Sequence, residues 1–321
     1  MVLVLLAMLP LAPAHAATPS TFTKHKGPGR DYWLFTPSGA KGTARPLLVY
    51  LHGCTQTGDD AAIGTRWNDF AATHGIVVVY PEQSAEANGT QCWNWFEPDH
   101  QSRDAGEPSI IVAIVRAVEK SQRIDASRVY VAGASAGADM ATILGATYPD
   151  VFAAVAPFAG CAYLTCADVT GAMAKQAMGP RARQLPAMIV QGTGDMLNNV
   201  ALGETAVQQW VGTNGLDPQP SAETHGDFTA VDPGSGDPCA RSAHFPCAGG
   251  ALGWKSYPYT IHHYGTATCD LVDAWYIHGL NHDYPSGRVE HSFTDPIGPD
   301  IDAAAWAFFS HHRVGRPCTQ P

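Results

Sequence analysis

Four continuous apolar runs, separated by stretches of helical character, constrain the fold of this chain more than any other feature. The runs are PLLVYL from Pro46, IVVVY from Ile76, VYVA from Val129 and AMIVQ from Ala187. A strand that is apolar at every position is covered on both faces, as in a parallel sheet. Because strands that alternate with helices form such sheets through right-handed crossovers, the sequence predicts an α/β fold. A mostly parallel central sheet should carry helices on both faces.

The segments between and after these runs have helical or strand character of their own. Apolar residues recur near helical spacing in several of them, and Gly or Pro ends most of them. Helices are predicted over 59–74, 108–121, 136–147, 200–211 and 300–312, and further strands over 30–36, 259–264 and 271–277.

The region from Gly212 to Pro258 differs in composition, with many Pro, Gly, Ser and Asp residues. A structureless loop of this length is unusual in a compact domain. We therefore expect an insertion over the rim of the functional site, around 212–258. With no internal repeat or linker in view, residues 17–321 are predicted to form a single domain.

The first residues, MVLVLLAMLPLAPAHA, are a short apolar run that ends in the small-x-small pattern Ala14-His15-Ala16. This predicts a signal peptide over 1–16 and a secreted protein, extracellular or periplasmic. The run is too short to span a bilayer, and no later segment approaches a membrane span.

Eight cysteines in an exported chain indicate disulfide bonds, although some could be free buried thiols. Without any CxxC pair, a metal site is not expected. Proximity in sequence favours the pairs Cys161–Cys166 and Cys239–Cys247. The cysteines that remain are Cys54, Cys92, Cys269 and Cys318.

The formal net charge of −10 excludes nucleic acid as an expected partner, because no run of Lys and Arg offsets it locally. The histidines are scattered, without the spacing of a metal site. No metal or cofactor is therefore expected, and the oligomeric state is left open.

The pattern Gly133-x-Ser135-x-Gly137 comes directly after a buried strand and directly before a helix. This is the context of a nucleophile elbow, a turn so tight that its flanking positions tolerate little beyond Gly. The alternative is a plain Gly/Ser turn. The context favours Ser135 as a catalytic nucleophile.

A serine hydroxyl needs a base, and in this kind of fold the acid and then the histidine follow it along the chain. Asp195 stands just past the buried run from Ala187, on a Gly-rich loop. His282 stands in a loop after the last predicted strand and before the closing helix. We assign Asp195 as the orienting acid and His282 as the base; Asp168 and Asp273 fit this topology less well.

Two backbone amides should form the oxyanion hole. The residue after the nucleophile, Ala136, supplies one. The other is expected from the loop after the Pro46 run, at Cys54. Cys92 is the natural disulfide partner of Cys54, because the strand before Cys92 should lie near that loop.

Aromatic residues are concentrated in Cys92-Trp-Asn-Trp-Phe, either for core packing or to line an apolar cleft. Trp93, Trp95 and Tyr284 are the candidates for substrate binding.

The motifs LHGCTQ, CWNWF, RDAGEPSI, GASAGADM and NHDYPSG resemble the poly(3-hydroxybutyrate) depolymerase-type esterases over roughly 31–313. The resemblance implies an α/β-hydrolase fold without metal or organic cofactor that cleaves short-chain hydroxyacid esters. It places Ser135, Asp195 and His282 at the catalytic positions and Cys54 at the oxyanion position. Asn281 replaces a Gly that relatives often have. The chain ends soon after Arg313, so no polymer-binding domain is expected, and soluble or amorphous esters should be preferred to crystalline polymer.

Three functions are compatible with these residues. The first is hydrolysis of a small or polymeric hydroxyalkanoate ester, and the second is removal of feruloyl or acetyl groups from xylan. The third is a hydrolase fold that has lost activity and serves as a binding protein. A complete triad in the right order argues against the third.

Overall fold

A ten-stranded sheet forms the centre of the structure, a computed structural model that describes residues 19–39, 42–227, 229–230, 254–266, 269–289 and 291–318. Short pairs of strands lie outside it. In chain order the strands are β1 (Thr21–His25), β2 (Tyr32–Thr36), β3 (Arg45–Leu51), β4 (Val77–Pro81), β5 (Ile124–Ala134), β6 (Ala154–Phe158), β7 (Ala187–Gly192), β8 (Ala222–Gly226), β9 (Thr229–Ala230), β10 (Trp254–Ser256), β11 (Tyr259–Thr266), β12 (Cys269–Ile277), β13 (Tyr284–Pro285) and β14 (Thr294–Asp295).

The large sheet has the order β1-β2-β4-β3-β5-β6-β7-β12-β11-β8. Its centre, from β4 to β12, is parallel. Antiparallel pairing is confined to the margins, where β1 and β2 extend one side and β11 and β8 extend the other. The predicted mostly parallel sheet is therefore confirmed.

Helices cover both faces of this sheet. They are α1 (Gly58–Thr65), α2 (Trp67–His74), α3 (Gly106–Ser121), α4 (Ala136–Thr147), α5 (Ala172–Met178), α6 (Val200–Asn214) and α7 (Ile301–Ser310), with 3₁₀ turns at Pro98–His100 and Gly179–Arg181.

Alternate residues of the central strands belong to two separate hydrophobic cores. On β3, Leu47 and Val49 pack on the side of α3, α4 and α6, whereas Leu48 and Tyr50 pack on the side of α1, α2 and α7. This is the alternation that a strand covered on both faces requires. Burial on both faces explains why most positions of β3 are apolar.

The structure differs from the predicted elements at several places, and it contains β6 and α5, which were not predicted. The helical stretch at 59–74 is two helices, because Arg66 adopts a left-handed conformation (φ 67°) that ends α1 and begins α2. At the start of the region expected to be a rim insertion, Gly212 still belongs to α6 and Ala222–Gly226 pairs with β11 at the sheet margin. The remainder, including Cys239 and Cys247, lies largely outside the described residues.

Disulfide bonds join Cys54 to Cys92, Cys161 to Cys166 and Cys269 to Cys318. The first two pairs confirm the predictions for those cysteines. In the part of the chain that the structure describes, no helix combines the length and apolar character that crossing a membrane would need.

Candidate active site

The loops that follow β3, β5, β7 and β12 meet at the carboxyl edge of the parallel sheet. This is where ligands bind in open α/β sheets. The four loops carry, in turn, Cys54, Ser135, Asp195 and His282. The topology thus brings together residues that are distant in the sequence.

Ser135 occupies a strained turn between β5 and α4. Its backbone has φ 55° and ψ −125°, and its amide donates a hydrogen bond of 2.9 Å to the carbonyl of Phe158 on the next strand. A Cβ on Gly133 would lie 2.4 Å from the Gly137 carbonyl oxygen, and one on Gly137 would lie 2.1 Å from the Leu51 carbonyl oxygen. Both positions therefore require glycine, as the elbow pattern predicts.

The imidazole of His282 is oriented by Asp195. Its Nδ1 donates a hydrogen bond of 2.7 Å to Oδ2 of Asp195. The other carboxylate oxygen, Oδ1, accepts from the amides of Leu197 and Asn198, each at 2.8 Å. Asp195 is buried, and a neutral imidazole bound in this way has its Nε2 free to accept a proton.

The loop after β3 is held rigid by His52. Nδ1 of this buried histidine donates to the carbonyl of Gly53 at 2.8 Å, and Nε2 accepts from the amide of Gln83 at 3.0 Å. Burial lowers the pKa of His52, which agrees with a neutral ring that donates on one side and accepts on the other.

Gln56 and the Cys54–Cys92 disulfide hold the same loop on its other side. Oε1 of Gln56 accepts from the Gly53 amide, and its Nε2 donates to the Ser292 carbonyl, both at 3.0 Å. The amide of Cys54 makes no hydrogen bond with any described residue. Ala136, the first residue of α4, has no acceptor within its helix. These are the two amides that the sequence indicates for an oxyanion hole.

A cavity of about 220 Å³ opens at this edge. Ser135 and His282 both line it, together with Cys54 of the loop after β3. The rest of its wall is largely apolar and aromatic. Among the other lining residues are Tyr50, Phe158, Leu197, Asp283, Tyr284 and Phe293.

Of the three aromatic candidates for substrate binding, only Tyr284 lines this cavity. It is a buried wall residue whose hydroxyl donates to Asp302 at 2.6 Å. Trp93 has no exposed surface, and its ring packs 5.6 Å from that of His52. Trp95 is packed against the same core. Trp93, for which the sequence left core packing or a cleft position open, is therefore a core residue, whereas Trp95 is partly buried and does not line this cavity.

Glu107 is a buried residue that sequence reasoning missed. Its Oε2 accepts from the Asn94 amide at 2.7 Å, and its Oε1 accepts from the Gln83 side chain. The backbone amide of Gln83 in turn donates to Nε2 of His52. Through Gln83 and His52, the Glu107 carboxylate therefore supports the loop that carries Cys54. The only signal in the sequence was its place in the RDAGEPSI motif.

Asp139, also missed, lies in the first turn of α4. Its Oδ1 accepts from the amide of Cys161 at 2.8 Å and so ties the Cys161–Cys166 loop to the helix that begins after Ser135. Burial raises the pKa of Asp139 to about 7, although the Cys161 amide and the charge of His282 act against the rise.

The competing acids have structural roles elsewhere. Asp168 accepts hydrogen bonds from the amides of Met173 and Ala174 in the first turn of α5. Asp273 binds His263 Nδ1 at 2.8 Å and lines a different cavity. Neither contacts His282, whereas Asp195 does.

A family model described as esterase PHB depolymerase matches residues 30–206. The chain belongs to this family. The match includes the elbow and Asp195 but ends before His282, so the histidine rests on the structure.

Relatives of this chain are named for different activities. A poly(3-hydroxyalkanoate) depolymerase C of Paucimonas lemoignei is 35% identical over 78% of this chain and 57% of its own length. A feruloyl esterase B of Neurospora crassa is 37% identical over 40% of this chain and 44% of its own length. The chain thus spans about half the length of these relatives.

Among solved structures, an acetyl xylan esterase from Aspergillus awamori superimposes with a TM-score of 0.66. The match covers 90% of this chain and 99% of that one, at 17% sequence identity. At this identity the likeness establishes the fold, and it agrees with the predicted α/β-hydrolase architecture.

Proposed function

We propose that this protein is a serine esterase that hydrolyses short-chain hydroxyalkanoate polyesters or oligomers through an acyl-enzyme intermediate. The observation that carries the proposal is the 2.7 Å hydrogen bond from His282 to Asp195, at the wall of a cavity that the elbow residue Ser135 also lines. A nucleophile, a base and an orienting acid on one sheet edge are the components of acyl transfer.

In the first half-reaction, the Oγ of Ser135 attacks the ester carbonyl carbon while its proton passes to Nε2 of His282. Asp195 stabilises the imidazolium that results. The negative charge on the tetrahedral oxygen is bound by the amides of Cys54 and Ala136. When the carbonyl reforms, the bond to the alcohol oxygen breaks and His282 returns the proton to it.

In the second half-reaction, water replaces the serine as the attacking group. His282 removes a proton from the water, whose oxygen attacks the acyl carbon. The same two amides bind the second oxyanion. Collapse of that intermediate releases the carboxylic acid and restores Ser135 with its proton.

The dimensions of the cavity favour a short acyl or hydroxyacyl group. Its volume of about 220 Å³ is below the range of roughly 300–1,000 Å³ typical of pockets for drug-sized ligands. The kinship with a poly(3-hydroxyalkanoate) depolymerase over most of this chain supports a hydroxyacyl ester. The kinship with a feruloyl esterase supports the second candidate, a xylan-directed esterase.

Export is part of the proposal. The predicted signal peptide lies outside the described residues. Its support is the set of disulfide bonds that the structure contains, since such bonds persist in oxidising compartments.

A substrate panel combined with active-site labelling tests the function. A fluorophosphonate should label the wild type and not Ser135→Ala, whereas an inactive binding protein would not react. Nitrophenyl 3-hydroxybutyrate and amorphous polyhydroxybutyrate should be hydrolysed faster than methyl ferulate or acetylated xylan. Faster release from the last two would replace the polyester by the carbohydrate substrate.

A further inference from the structure

Asp283 is an acidic residue in the cavity wall that the proposed triad does not use. It follows His282 directly and lines the cavity with Ser135 and His282. Its side chain is partly buried. The charge of His282 acts on the carboxyl group of Asp283 and lowers its pKa, as expected of two groups that line one cavity.

Asp283 makes no hydrogen bond or ion pair with any described residue. This distinguishes it from the fully buried carboxylates nearby, each of which has a specific donor. The pairs are Asp195 with His282, Asp139 with the Cys161 amide, Asp295 with the Tyr257 hydroxyl, and Asp302 with the Tyr284 hydroxyl.

The surroundings of Asp283 penalise its charge. Burial raises the pKa of Asp283 to about 6, the charges of Asp295 and Asp195 act in the same direction, and His282 opposes them. A partly desolvated acceptor without a protein donor is less stable than one that is hydrogen-bonded. Such a cost at a reaction cavity is characteristic of a group that meets its partner in the ligand.

The chain on both sides of Asp283 is fixed without any contribution from its carboxyl group. His282 is held by Asp195, and Tyr284 is held through its amide to the Phe293 carbonyl at 2.8 Å. The carboxyl group is therefore placed in the cavity wall by its neighbours, as a preorganised binding group would be.

We propose that Asp283 forms a hydroxyl-binding subsite, in which its carboxylate accepts a hydrogen bond from a hydroxyl group of the ester beside the reacting carbonyl. This inference rests on the proposed esterase function. It adds a criterion of selection: hydroxylated esters are preferred to esters of the same size that lack the hydroxyl.

The chemistry of a carboxylate limits what can occupy this subsite. A hydroxyl group donates to it, whereas an anionic group is repelled and an apolar group leaves it desolvated and unpaired. Sites that bind a substrate hydroxyl reject the analogue without it for this reason. The hydroxyl can belong to a 3-hydroxyacyl group or to a sugar in the alcohol part of the ester.

Two matched pairs of esters distinguish these sources. Nitrophenyl 3-hydroxybutyrate and nitrophenyl butyrate differ by a hydroxyl on the acyl side alone. The monoacetate of 1,2-cyclohexanediol and cyclohexyl acetate differ by a hydroxyl on the alcohol side alone. For each pair, the quantity of interest is the ratio of kcat/KM of the hydroxylated ester to that of its partner.

Asp283→Ala should lower one of these ratios about tenfold or more, the effect of losing a hydrogen bond to a charged group. Asp283→Asn should lower it less, since the amide oxygen still accepts. The control is Asp69→Ala, which removes a carboxylate that is half exposed at the surface and should leave both ratios at wild-type values.

Fluorophosphonate labelling of Ser135 verifies that each variant retains its site. If Asp283→Ala is not labelled, the test of the subsite rests on the kcat/KM ratios of Asp283→Asn. Equal losses for both members of each pair, or no change in either ratio, would overturn the subsite while leaving the esterase function intact. A wild type that hydrolyses none of the four esters would overturn both.

Discussion

The side chains of His282 and Asp195, 87 positions apart in the sequence, are joined by a hydrogen bond of 2.7 Å between Nδ1 and Oδ2. The second carboxylate oxygen of Asp195 is engaged by the amides of Leu197 and Asn198. With both oxygens occupied, the carboxylate has one orientation, and it fixes the orientation of the imidazole.

Asp195→Asn should therefore remove catalysis and leave the fold in place. An asparagine that donates to Nδ1 imposes the wrong tautomer on the histidine, and it cannot stabilise the imidazolium. By analogy with serine proteases, kcat should fall by about four orders of magnitude. Steady-state kinetics on a soluble nitrophenyl ester, with urea unfolding of the same preparation, measures both quantities.

Asp168→Asn is the matched control for this substitution. Asp168 is equally buried, and it caps the first turn of α5. Asparagine caps helices about as well as aspartate, so kcat should stay near wild type. A comparable loss of kcat in both variants would show that Asp195 has no special role.

The Cys54–Cys92 bond should stabilise the protein more than the Cys161–Cys166 bond does. The two bonds join residues 38 and 5 positions apart. On the chain-entropy model these separations correspond to about 4 and about 2 kcal/mol. In urea unfolding, the variant with both Cys54 and Cys92 replaced by Ser should lose more free energy of unfolding than the variant with Cys161 and Cys166 replaced.

The kinetic effects of the two variants should differ as well. Loss of the Cys54–Cys92 bond frees the loop that carries the Cys54 amide, and a misplaced oxyanion donor costs kcat rather than KM. If kcat on a soluble ester were unchanged without this bond, the role assigned to the loop would be incorrect.

Most of the centre of the fold, with the exception of β6 (Ala154–Phe158), could be predicted from the sequence because its signals are local. Strands such as β3 and β7 are apolar at nearly every position, and the GxSxG turn directly follows another such strand. Chain order then placed Asp195 and His282 on the same edge. In contrast, β1 (TFTKH) and β8 (AETHG) are largely exposed margins, whose strand character comes from pairing with β2 and β11.

The supporting residues could not be predicted, since their roles depend on tertiary contacts. The sequence around Trp93 is compatible with either a core or a cleft position, and only the structure shows that its side chain is fully buried. Glu107 reads as an ordinary acidic residue in the first turn of a helix. Only the structure shows that it is fully buried beside Gln83 and Asn94.

Asp139 should make the folded state less stable as the pH rises. Its pKa is raised to about 7 by burial, whereas an aspartate in an unfolded chain titrates near about 3.9. Between these values the unfolded chain has released the proton that the folded protein retains. The free energy of unfolding should therefore fall by up to about 1.4 kcal/mol per pH unit from this group.

Asp139→Asn tests this dependence, since asparagine can still accept from the Cys161 amide and does not titrate. Its stability relative to wild type should increase between about pH 4 and about pH 7 and then level off. Asp125→Asn is the control: burial disfavours the Asp125 charge, but Ser127 and Arg128 outweigh it and lower the pKa of Asp125 to about 2. Its difference from wild type should be constant in the same window; parallel curves for the two variants would exclude the Asp139 effect.

Met196 should contribute to contact with a polymer surface. Its side chain is 93% exposed beside Asp195, and the neighbouring Leu197, which lines the cavity, is 63% exposed. An apolar side chain at the rim of a cleft gains free energy when a polyester surface covers it. Met196→Ser should lower the rate on amorphous polyhydroxybutyrate several-fold and change kcat/KM on a soluble nitrophenyl ester little.

Met173→Ser is the control. It removes a methionine of α5 that is 45% exposed and does not line the cavity, and it should leave both rates near wild type. Equal polymer rates for the two variants would show that adsorption does not depend on this rim.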